Sequence, residues 1–256
     1  MLSRQMINDD YCEGVSLSIV DQEALARAVA LVLVQEFLLA RRLLGGEPTV
    51  EVEALEPEFI DEIVERRLKC IDRYHRDGYL FQLMMWLAAH LDSAPGDLVA
   101  LPQSQPAAKG QDGIIVHRSA DAVVALSICE DKATDNPRAT VRKEVLPAIR
   151  DYEAGGRKDE LRSAVITALG AVGNVPLDEA QELVRRISWS EARRYRLRIA
   201  LGSRRTPTLF RGFEREAPGP ESRRSGQTVL IPDLRNALER FALQVEQALL
   251  QMKREQ

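Results

Sequence analysis

Two short apolar runs set close together constrain this chain more than any other feature. The first is Ile114-Ile115-Val116 and the second is Val123 to Ile128, with Arg118-Ser119-Ala120-Asp121 between them. Runs this short, rich in β-branched residues and split by a polar break, specify a β-hairpin. Away from that break, ionisable residues gather at the hairpin's open end. Asp112 opens the first strand, and Glu130-Asp131-Lys132 close the second. Side chains two apart on a strand share a face, so Glu130 and Lys132 project together and Asp131 turns away.

Two carboxylates converging from neighbouring strands form a hard, anionic oxygen site suited to Mg²⁺. A lysine beside them can orient a water or offset charge developing on a phosphate. The chain has six lysines, and only Lys132 follows an acid by two positions. Arginine is the usual cation here, and the two are not interchangeable, so this lysine is a distinctive choice. The plain alternative is a strand end with solvated charges. An Asp on one strand with Glu-x-Lys on the next resembles the PD-(D/E)XK nuclease superfamily. The resemblance runs from Gly78 to Gly155, although Gln111 stands where a proline often precedes the Asp. It implies that Asp112 and Glu130 bind Mg²⁺ or Mn²⁺ and that Lys132 positions or activates a water.

The helix before the sheet often supplies that superfamily with a third acid. Here the stretch from Tyr79 to Leu87 is apolar except for Gln82. A helix apolar all round is buried, and a buried amide needs partners. Gln82 is therefore either a satisfied core amide or the third site residue, an amide in place of a carboxylate. Asp77 and Glu65 are the other acids that could complete the set. Beyond the Glu-x-Lys strand, Asn136-Pro137 starts a helix with Val141, Val145, Ile149 and Tyr152 on one face. The resemblance places this helix beside the substrate backbone, which implies phosphate contacts from Arg138, Arg142 and Lys143. An exposed basic face is the alternative.

Length allows one large domain or two small ones, and the division expected is a single domain over residues 1–256. Residues 1–75 form an N-terminal helical part, 76–205 the nuclease core, and 206–256 a loop, a short strand and a C-terminal helix. The formal net charge of −4 means that any nucleic-acid affinity rests on local basic patches. Cys12, Cys70 and Cys129, like His75, His90 and His117, show no metal-ligand spacing. Three scattered cysteines suit a reducing cytoplasm. Asp9 and Asp10 precede any apolar stretch, against a secretory leader. The helix expected over Gln22 to Leu44, capped by Asp21 and ended by Gly45-Gly46, is too interrupted by charge to span a bilayer.

Along the rest of the chain, Gly14 to Val20 and Thr49 to Leu55 read as strands, and Pro57 starts a helix with Phe59, Ile63, Leu68 and Ile71. Leu98 to Leu101 supplies another short strand. Helices follow over Asp159 to Val172 and Leu177 to Ile187. Tyr195 to Gly202 alternates apolar residues with Arg194, Arg196 and Arg198, which reads as a half-buried strand with a basic outer face. Arg185, Arg186, Arg193, Arg204, Arg205, Arg211, Arg223 and Arg224 thicken that basic region. Thr206 to Gly226, rich in Pro, Gly and Arg, reads as a mobile loop. Asp233 caps a last helix whose Leu234, Leu238, Phe241, Val245, Ala248 and Met252 recur at heptad spacing. That stripe serves either the core or a docked partner.

The expected fold is α/β or α+β, a restriction-endonuclease-like small mixed sheet flanked by helices. The expected function is metal-dependent hydrolysis of DNA phosphodiesters, with no membrane association. Within the superfamily the chain looks like the nuclease subunit of a Hachiman-type antiphage defence system, which implies a helicase partner. The alternative is a catalytically inactive nuclease-like fold that binds nucleic acid or a partner.

Overall fold

The computed structural model describes residues 2–47, 55–69, 72–105, 110–119 and 122–254. The strand expected over Thr49 to Leu55 lies, except for Leu55, outside these residues. So do Cys70, Ile71, Ala120 and Asp121.

The strands are β1 (Leu2–Ile7), β2 (Glu13–Ile19), β3 (Leu98–Val99), β4 (Gly113–Ser119), β5 (Ala122–Ala133), β6 (Arg193–Leu201) and β7 (Arg224–Leu230). They form one mixed sheet in the order β1-β2-β7-β6-β5-β4-β3. Its four central strands, β2, β7, β6 and β5, run parallel, and the outer pairs are antiparallel. The helices are α1 (Gln22–Leu33), α2 (Phe37–Leu44), α3 (Pro57–Ile63), α4 (Arg73–Asp92), α5 (Pro137–Thr140), α6 (Leu146–Glu153), α7 (Lys158–Ala171), α8 (Leu177–Arg185), α9 (Trp189–Ala192), α10 (Phe213–Glu216) and α11 (Leu234–Arg254). π-helical turns extend α3 over Val64–Lys69 and join α5 to α6 over Val141–Val145. One apolar layer gathers α1 to α4 and α11 on one face of the sheet, and a second gathers α5 to α10 on the other.

The hairpin forms as its pattern demands. Gly113 pairs with Cys129 and Ser119 with Ala122, so Arg118 and Ser119 belong to the strand. Asp21 caps α1 by accepting from the Ala24 amide. The helix expected over Gln22 to Leu44 is two helices, because Gln35 takes a left-handed conformation at φ 67°. The N-terminal part is not purely helical either. β1 and β2 pair with each other, and β2 joins β7, which widens the expected small sheet to seven strands among the described residues.

Three further expectations are corrected. Residues 206–223 are packed, not loose: Leu209, Phe210, Phe213 and Ala217 are buried in the second core, and Glu216 accepts twice from Arg150. Composition alone missed these anchors. Of the β6 arginines only Arg194 is exposed, so they do not together form a basic outer face, and β6 is a central strand. Arg198 is buried and pairs with Asp131, and Arg196 reaches Asp92. Others of that basic region are likewise spent inside the chain. Arg193 and Arg224 donate to carbonyls, Arg223 to Glu153, Arg205 to Asp9, and Arg185 and Arg186 to Glu182. The apolar stripe of α11 packs against α1, α3 and α4 in the chain's own core, so it leaves no docking seam. Asp233 precedes α11 with its carboxylate on the Asn236 side-chain amide rather than on a backbone N–H.

Candidate active site

β4 and β5 deliver the acids. Asp112 stands one residue before β4, and Glu130 and Lys132 point from β5 toward the layer of α6 and α7. The Lys132 ammonium donates to Asp112 Oδ2 at 2.9 Å and to Glu130 Oε2 at 3.2 Å. The backbone N–H of Asp131 donates to the same Asp112 oxygen at 2.7 Å. Gln82 reaches over from α4, and its Nε2 donates to Asp112 Oδ1 at 2.5 Å. Three donors from two elements, α4 and β5, thus meet at the Asp112 carboxylate, and Asp112, Glu130, Lys132 and Gln82 form one cluster.

Asp77 and Glu65 do not join it. Asp77 is buried between Arg76 and Arg235, and Glu65 pairs with Lys69. Arg138 donates to the Leu209 carbonyl, whereas Arg142 and Lys143 are exposed on the following turns.

Burial sets the electrostatics. It raises the Glu130 carboxyl, as does Asp112, while Lys132 pulls it down. Burial would lower the Lys132 ammonium, but Asp112 and Glu130 outweigh it and hold the lysine well above its usual range. On the opposite face, Asp131 forms a bidentate pair with Arg198 at 2.5 and 2.8 Å, and Arg198 also donates to the Met85 carbonyl at 2.6 Å. Burial pushes the Asp131 carboxyl up against the pull of Arg198. The guanidinium in turn is held protonated by Asp131 despite burial. Two parallel N–H···O bonds favour the ionised pair.

Three residues at the rim were not legible in the sequence. Arg157 donates to the Tyr152 hydroxyl and to Glu160, both at 2.6 Å, and its guanidinium stacks on the Tyr152 ring. Its charge favours ionised Glu130. Asp112 and Glu160 line one cleft of about 450 Å³ between the start of β4 and α7.

A second constellation has the order of a hydrolase triad. His117 Nε2 lies 2.8 Å from Ser127 Oγ, and its Nδ1 lies 2.9 Å from Asp97 Oδ2. Ser127 is only 1% exposed within β5, so no substrate carbonyl can approach its hydroxyl. Asp97 also accepts from the Ala94 amide, which makes the relay a tie between that loop and the sheet.

The donor chemistry at Asp112 and Glu130 suits Mg²⁺, which takes one or two carboxylates and keeps several waters. Both already converge on a cation, the Lys132 ammonium. Among the described residues, no three or more His, Cys, Asp or Glu side chains are placed to hold a metal ion. Any site here rests on two carboxylates, with Gln82 at the third place. Comparison with protein-family models, with curated proteins and with solved structures finds no match. No helix among the described residues is long and apolar enough to cross a membrane.

Proposed function

We propose that the chain is a metal-dependent nuclease that hydrolyses phosphodiester bonds of DNA. The observation that carries this reading is the joint hold of Lys132 on Asp112 and Glu130, with Asp112 oriented further by Gln82 and the Asp131 amide. This is the constellation that the PD-(D/E)XK resemblance calls for. Asp112 and Glu130 would hold Mg²⁺ or Mn²⁺, which supplies Lewis acidity toward the phosphoryl oxygens. Lys132 carries a compact charge that can steady the attacking water or the phosphate as charge builds on it. The water oxygen bonds to phosphorus as it releases a proton to solvent, the P–O ester bond breaks, and the leaving oxygen takes up a proton from solvent. Gln82 and the Asp131 N–H fix the Asp112 carboxylate, and exposed Arg142 and Lys143 offer phosphate contacts on the adjoining helix.

The same proposal includes the Hachiman-type antiphage setting with a helicase partner, which would have to dock elsewhere than on the apolar stripe of α11. The test is cleavage of plasmid and linear DNA with Mg²⁺ or Mn²⁺ by the wild type and by Asp112→Asn, Glu130→Gln and Lys132→Met. Each variant should lose about 10²-fold or more in rate. Cutting that survives all three would refute the assignment.

A second reading is favoured by Gln82. With an amide at the third place, the fold could bind nucleic acid without cutting it. Metal-independent DNA binding with no cleavage by the wild type would select this reading.

A further inference from the structure

Three loops meet at the carboxyl ends of β5, β6 and β7 and enclose a cleft of about 600 Å³, separate from the acidic cluster. Beyond β5 the chain enters α5 on one face of the sheet, and beyond β7 it enters α11 on the other. The chain leaving β6 also runs to the α5 side, through Phe210 and Phe213, so the connections part in opposite directions between the adjacent carboxyl ends of β6 and β7. In open α/β sheets such a switch point leaves a crevice where ligands bind.

The chemistry of the walls selects the ligand. Arg138, Arg204, Arg205 and Arg235 line the cleft, against Asp135 and Asp233. Both acids are engaged, Asp135 with Arg235 and Asp233 with Asn236. Arg205 is anchored by Asp9. Arg138 spends one N–H on the Leu209 carbonyl. Burial and the nearby charges of Arg142 and Arg211 pull the Arg138 guanidinium below its usual range. Arg204 is exposed and has no partner among the described residues. Guanidinium groups match phosphate oxygens in pairs of hydrogen bonds. The volume falls within the range of small-molecule sites, about 300–1,000 Å³, and exceeds the needs of a bare phosphate. Leu201, Leu209 and Leu234 give the remainder an aliphatic wall.

We infer that this cleft binds a phosphorylated small molecule of nucleotide size. The assignment does not depend on the nuclease reading, and its test excludes divalent metal. Titration calorimetry in EDTA would use ADP, inorganic phosphate and a twelve-residue oligothymidylate as probes. ADP should bind one to one, inorganic phosphate should compete, and affinity should fall as salt rises. Arg204→Glu should weaken ADP at least ten-fold. Because Arg204 is exposed and unpartnered, circular dichroism should find that variant folded. Arg27→Glu, on the exposed side of α1, should bind as the wild type does. Absence of saturable ADP binding would overturn the inference. So would equal affinity in Arg204→Glu, or binding of the oligonucleotide that neither ADP nor phosphate displaces.

Discussion

Arg198→Met should unfold the sheet beneath the cluster more readily than any change at its rim. Arg198 is 3% exposed and Asp131 4% exposed, and they stand opposite each other on β6 and β5. Removing the guanidinium strands a buried carboxylate and also frees the Met85 carbonyl. Breaking a buried pair from one side costs about 3–5 kcal/mol. Against a total of roughly 5–15 kcal/mol this is a large fraction. At about 2–4 °C per kcal/mol for a chain of this size, the melting temperature should fall by about 6–20 °C. The pair's net worth is far smaller, because two ions were desolvated to make it. Arg198→Met combined with Asp131→Leu should therefore regain most of the loss. Thermal and urea unfolding followed by circular dichroism measures both. A fall under about 2 °C in the single variant, or a double variant no better than the single, would refute the reasoning.

Gln82→Glu adds a third carboxylate where an amide now donates to Asp112 at 2.5 Å, so its melting temperature should drop in EDTA and recover with Mn²⁺ beyond the wild-type response; an equal response in both proteins counts against a metal site. Burial, helped by Arg41, lowers His90 from 6.5 to about 4, so the folded state prefers neutral imidazole. That contribution is fully present above pH 6.5 and is lost as pH falls toward 4, up to roughly 3 kcal/mol at about 1.4 kcal/mol per pKa unit. His90→Gln should flatten the stability profile over that window, and an unchanged profile would sink this account. A Cβ on Gly226 would lie 2.5 Å from Cys12 Sγ and 2.6 Å from Phe210. Gly226→Ala should therefore cost about 1–3 kcal/mol by overpacking in chemical denaturation, and a neutral result would mean that both neighbours give way.

The cluster was legible because it follows from strand periodicity. Alternation fixes Glu130 and Lys132 on one face, the pairing of β4 with β5 brings Asp112 alongside, and one amide in an apolar helix has few places to go. Arg157, Tyr152 and Glu160 were not legible, since their approach depends on how α6 and α7 pack across the sheet. The arginines of β6 show a different limit. Alternation divides a strand into two faces but cannot say that the polar face meets water. The burial of Arg198 is not legible because its partner Asp131 sits on a strand sixty-seven positions away in the chain. The last helix shows the converse, since its heptad stripe identified an apolar face without naming what covers it. The N-terminal strand β1 gave no signal because most of its residues are exposed at the sheet edge.

The hold of Lys132 on both carboxylates has a consequence for how the cluster would respond to its surroundings. Asp112 and Glu130 carry a tethered competitor for any cation that approaches them. A group on a short flexible tether acts at an effective concentration on the order of millimolar. An incoming divalent ion must outbid that resident charge, so its apparent affinity is weakened in return for a constellation already assembled. Occupancy would then follow how much free cation surrounds the molecule, with its midpoint raised, rather than being a tight and permanent load.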